Sequence, residues 1–62
     1  MIEFYKVANG TLIGTLDPFT MEPSNGTVAS VVRAKREMGW SDEQILLWAD
    51  GWSNGYFASR RV

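Results

Sequence analysis

Cysteine and histidine are both absent from these 62 residues. Without thiols no disulfide can staple the chain, and without thiols or imidazoles a structural zinc site has no ligand set. The same two absences remove the usual nucleophile–base pairs of covalent catalysis. Charge of one sign is also scarce. The formal net charge is −1, too small to drive binding at a polyanion or a lipid surface. Glu3, Asp17 and Glu22 face Lys6 alone in residues 1–32, whereas Arg33, Lys35, Arg36, Arg60 and Arg61 outnumber Glu37, Asp42, Glu43 and Asp50 in the remainder. The split is too shallow to assign a function. No apolar run reaches membrane-spanning length, and no basic region followed by an apolar stretch opens the chain. The expectation is a soluble, cytoplasmic protein with no cofactor and no metal.

A chain of this length makes one domain, 1–62, close to the lower limit for folding alone. Its core must be packed tightly by large side chains or completed by a second copy or a partner, so a homo-oligomer is one reading. Large rings are what the chain does have: three Trp, three Phe and two Tyr.

The clearest local signal lies in residues 38–44, Met-Gly-Trp-Ser-Asp-Glu-Gln. Gly39 suits the left-handed position that ends a helix. Ser41 and Gln44 have the S-x-x-Q spacing of a capping box, with Trp40 and Ile45 placed as a hydrophobic staple. Asp42 and Glu43 put negative charge in the first turn of the next helix, where its dipole favours it. This predicts a helix over 27–38, starting near Ser24 to Thr27 with several possible caps, joined tightly to a helix over 42–50.

Ahead of the joint, residues 2–16 predict a β-hairpin, rich in β-branched and aromatic side chains and broken at Asn9-Gly10. A two-residue turn there sets Val7 opposite Leu12, Tyr5 opposite Gly14 and Glu3 opposite Leu16. Asp17-Pro18 stops the second strand, and 17–26 reads as a loop whose Phe19 and Met21 fold back onto the core. Asn9-Gly10-Thr11 and Asn25-Gly26-Thr27 match a glycosylation sequon, but both Asn-Gly pairs are read as turns. Helix 27–38 gathers Val28, Val31, Val32, Ala34 and Met38 on one side. Lys35 falls inside that stripe, either with its stem along the core edge and its ammonium in water, or as a contact for an acidic partner. Helix 42–50 is apolar all round after its first turn, which suggests a patch for a partner or a second copy. The tail 54–62 fits a short helix capped by Ser53 or Asn54, or a third strand after an Asn54-Gly55 turn.

The seven carboxylates show no paired or metal-ligand spacing. Ser41 and Ser53 are caps with no histidine to activate them, and no glycine-rich phosphate loop follows a strand. A chain this short also has little room for a pocket of useful volume. These residues do not describe an enzyme. The helical joint has the outline of a helix-turn-helix, yet its second helix offers acids, Leu and Trp where base edges call for polar or basic groups. The nucleic-acid alternative therefore rests on Arg33, Lys35, Arg36, Arg60 and Arg61 forming a phosphate patch, with Trp52 and Tyr56 as stacking platforms.

Trp40, Trp48, Trp52, Tyr56 and Phe57 crowd into eighteen positions with arginines on both sides, the residue types that dominate interface energetics. Met38-Gly39-Trp40 and the capped helix after it resemble the Met-Gly-Phe/Tyr loop and compact helices of ubiquitin-associated domains, over residues 28–62. The likeness implies three helices whose loop and third helix form a hydrophobic binding surface; the hairpin in front is foreign to that family. The combined reading is an α+β domain, a hairpin packed on two or three short helices. Its expected role is a non-catalytic interaction module or inhibitor, a kind of modulator often encoded by phages and mobile elements. The expected surface is Leu47, Trp48, Trp52, Tyr56 and Phe57, rimmed by Lys35, Arg60 and Arg61. On this reading Trp52→Ala abolishes binding and leaves the fold largely intact.

Overall fold

Asn54 decides the architecture of the C-terminal half. In the computed structural model, which describes all of residues 1–62, its Oδ1 accepts the Tyr56 and Phe57 N–H groups at 3.0 and 2.8 Å. That arrangement reverses the chain and starts no helix. Of the two conformations open to residues 54–62, the chain adopts the strand. The elements are β1 (Ile2–Lys6), β2 (Leu12–Leu16), α1 (Gly26–Glu37), α2 (Asp42–Ala49) and β3 (Phe57–Arg61). They form an α+β fold, an antiparallel sheet in the order β2-β1-β3 with both helices on one face. β3 pairs along β1 from Lys6↔Phe57 to Ile2↔Arg61 and satisfies an edge that a helical tail would have left open. No third helix follows the Met-Gly-Trp loop, so the likeness to ubiquitin-associated domains ends at α2 and the surface it implied is not formed.

The hairpin exists, but its register differs by one residue from the expected one. Ile2 pairs with Leu16, Glu3 with Thr15 and Phe4 with Gly14, and the ladder then skips Ile13 so that Tyr5 meets Leu12. The cause is the turn, which moves the pairing by two residues, combined with the skipped Ile13, which takes one back. Lys6 N–H donates to Thr11 O at 2.8 Å and Gly10 N–H to Lys6 O at 2.7 Å, which encloses four residues, Val7 to Gly10, instead of two. A one-residue slip exchanges the faces of a strand. Leu16 and Gly14 therefore join Ile2 and Phe4 beneath the helices, while Glu3, Tyr5 and Thr15 face outward.

The 17–26 segment repeats the same turn. Asp17 N–H donates to Glu22 O at 3.0 Å and Met21 N–H to Asp17 O at 2.8 Å, so Met21 takes the left-handed place that Gly10 takes in the first turn, at φ 62°. Met21 is buried, as expected; Phe19 is not, being 94% exposed. The chain then lies along β2 through a Leu16↔Pro23 bridge, and a Ser53↔Ala58 bridge shields β3 in the same way. Both sheet edges are thus partly covered.

Asn25 makes no turn. It is the N-cap of α1: Oδ1 accepts Val28 N–H at 2.9 Å and Nδ2 donates to Ile13 O. The second Asn-Gly pair therefore starts a helix. α1 buries only Val28 and Val32; Val31 and Met38 of the expected stripe are 39% and 70% exposed. Its end follows the sequence closely. Trp40 N–H bonds Lys35 O and Gly39 N–H bonds Arg36 O, with Gly39 at φ 90°, the paired bonds of a Schellman motif. The Ser41–Gln44 capping box forms in both directions. Ile45 and Ala49 of α2 complete a core with Ile2, Phe4, Leu16, Met21, Val28 and Val32.

Candidate functional site

Three rings from three parts of the chain meet under the sheet. Trp48 of α2 stacks on Phe4 of β1 at 5.9 Å, and Trp52, just past α2, lies 6.1 Å from Phe4 and 5.5 Å from Trp48. Ser59 holds Trp52 there. Its Oγ accepts Trp52 N–H at 2.9 Å and donates to Ala49 O, tying β3 to the end of α2. Trp48 and Trp52 remain half-buried, with open space beside them.

The uncovered space is an apolar groove of about 510 Å3. Phe4, Ile13 and Phe57 of the sheet, Val28 and Val31 of α1, and Trp48 and Trp52 line it. Its volume lies within the range of ordinary ligand and anchor sites, so short length did not prevent a useful pocket. Lys6 is its one charged lining residue, and Lys6 makes no ion pair. A shallower hollow lies over α2, between Trp40, Gln44, Leu47 and Trp48, with Leu47 75% exposed. Trp48 is the wall shared by the two.

Of the expected interaction residues, the fold brings Trp48, Trp52 and Phe57 to one groove and sets Leu47 across Trp48 from it. Tyr56 is 78% exposed on the turn before β3 and lines neither concavity. The charged rim is dispersed. Arg60 points to the opposite sheet face, where Nε donates to Glu3 Oε1 at 2.9 Å and the guanidinium lies 4.7 Å from the Tyr5 ring. Arg61 pairs with Asp50 at 3.5 Å. Lys35 is half-buried at the end of α1, and its Nζ sits 4.2 Å from the Trp40 ring and 4.5 Å from the Trp48 ring. The negative faces of the two rings attract the ammonium.

Four of the five residues of the alternative basic patch have partners within the chain. Arg36 pairs with Asp42 at 3.0 Å, Arg60 and Arg61 have carboxylate partners, and Lys35 lies on indoles. Arg33 is the one member of the five without such a contact. Sequence reasoning missed Val28, Val31 and Ile13 as groove residues. Val31 was legible as apolar, but that it lines an opening and not the core depends on how α1 crosses the sheet.

Fold and site together define a small α+β domain with an open apolar groove on the helical side of its sheet. No protein-family model matches the chain, and no curated protein or solved structure matches it significantly. No helix is long and apolar enough to cross a membrane.

Proposed function

We propose that this protein is a non-catalytic interaction module that takes a bulky apolar side chain of another protein into the groove between α1 and the Trp48/Trp52/Phe57 wall. The observation that carries this reading is the groove itself: seven of its ten lining residues are hydrophobic. Aromatic walls around a desolvated pocket are the usual setting for the few residues that supply most of an interface's binding energy. Acting on a larger protein by occupying its surface requires only such a groove and no reactive group.

The test is affinity capture from host lysate, with and without nuclease, using wild type and Val31→Glu. Val31 is on the groove wall and partly exposed, so the added carboxylate blocks the opening without replacing a core residue. A stoichiometric protein that survives nuclease and is lost with Val31→Glu supports the reading. Capture abolished by nuclease transfers the function to nucleic acid, and binding there weakens steeply as salt rises.

A further inference from the structure

Phe19 is the most exposed large apolar side chain in the molecule, at 94%, and it is not on a loose segment. Asp17 Oδ1 accepts the Phe19 and Thr20 N–H groups at 2.8 and 3.3 Å. The backbone bonds Asp17 N–H to Glu22 O and Met21 N–H to Asp17 O close the turn, and the buried Met21 anchors it to the core. A ring is therefore held out in water by a built turn.

The turn and the groove lie at opposite ends of the sheet. Asp17 follows Leu16, which pairs with Ile2, whereas the groove is lined at the other end by Lys6, Ile13 and Phe57. Phe19 thus cannot fill the groove of its own molecule. Its charge matches the groove of another: Asp17 and Glu22 are the only charged residues between positions 7 and 32, and neither is in a salt bridge. Lys6, likewise unpaired, is the only charge lining the groove.

From an exposed ring flanked by unpaired acids and an open apolar groove flanked by an unpaired lysine, we infer that the groove receives Phe19 of a second copy of this chain, with Asp17 and Glu22 of that turn facing Lys6. Two copies placed antiparallel about a two-fold axis set each turn at the other's groove, so both grooves fill in one closed dimer. Burial of Phe19 and its cover over Trp48 and Trp52 supply the apolar area that so short a chain lacks by itself. The inference rests on the reading that the groove takes a bulky apolar side chain: Phe19 of a second copy occupies it when no larger partner is bound, and a larger partner competes with Phe19 for the same groove.

The experiment is mass in solution by analytical ultracentrifugation over a range of concentrations. Wild type is expected to dimerise, and Phe19→Ala and Val31→Glu each to raise the dissociation constant about thirtyfold or more, as loss of a hot spot does. An equimolar mixture of these two variants is expected to associate more tightly than either alone, because one retains the groove and the other the ring. Lys6→Glu is expected to weaken the dimer most at low salt. A wild type that stays monomeric throughout overturns the inference, and lysate capture then judges the interaction reading separately. A dimer indifferent to Phe19→Ala overturns it as well. Since Phe19 packs on nothing in its own chain, that variant folds and its result decides even where Val31→Glu is destabilised.

Discussion

Gly14 lies so close beneath Val28 that a β-carbon added to it would sit 2.5 Å from Val28 Cγ2, and 2.8 Å from Oδ1 of the α1 cap Asn25. The start of α1 rests on β2 through a strand position with no side chain. Gly14→Ala is therefore expected to destabilise by about 1–3 kcal/mol through overpacking. At a strand position with free space the same change is stabilising. Chemical denaturation measures it, and a stabilised Gly14→Ala would show that α1 is not seated this way.

Met21 joins burial to a left-handed backbone. Met21→Ala is expected to cost about 2–5 kcal/mol in lost packing. Met21→Gly loses the same packing but removes the left-handed penalty of about 1–2 kcal/mol. Glycine should thus be the milder substitution here, the reverse of the usual order. Melting temperatures of the two variants decide it.

Lys35 between two indoles predicts a spectroscopic signature. Lys35→Gln is expected to change the tryptophan emission spectrum and to destabilise by about 1 kcal/mol, while Lys35→Arg largely preserves both. Unchanged emission in Lys35→Gln would mean that the ammonium is not held on the rings.

Asp17 carries a pH dependence. Hydrogen bonds from the Phe19 and Thr20 N–H groups hold its carboxyl below the usual value of 3.8. A carboxylate whose folded pKa is depressed adds stability that is fully present above its unfolded pKa and disappears as pH falls through the folded one. Wild type should accordingly lose stability on acidification from above pH 3.8 into the range below it, and Asp17→Ala should lose less over that interval. Acid titrations followed by circular dichroism compare the slopes.

Trp52 was expected from sequence to be a separable binding residue. Packed on Phe4 and Trp48, it supports the core as well as the groove. Trp52→Ala is expected to destabilise by about 2 kcal/mol or more, so Val31 is the better position for testing binding. Urea unfolding of the two variants separates the roles.

Much of the fold was legible where a signal and its effect lie within a few residues. Gly39, Ser41 and Gln44 each act on backbone groups one turn away, so the joint between α1 and α2 could be read from spacing alone. The candidate site was less legible. Trp48, Trp52 and Phe57 were recognised as interface-type residues, but Arg60 and Phe57 sit on opposite sheet faces, a matter of strand parity that a helix-or-strand ambiguity conceals.

By itself the sequence determined an α+β domain with an N-terminal hairpin, a capped helical joint and no thiol or imidazole chemistry, because composition and capping are local. Only the tertiary structure decided the hairpin register, the strand at 57–61 and which rings reach water. Each of these depends on non-local pairing: Asn9-Gly10 fits two turn lengths, Asn54 can cap or reverse, and Phe19 and Met21 stand two residues apart in one loop. The sheet accepts Met21 and leaves Phe19 outside, since the turn closed by Asp17 and Glu22 directs them oppositely.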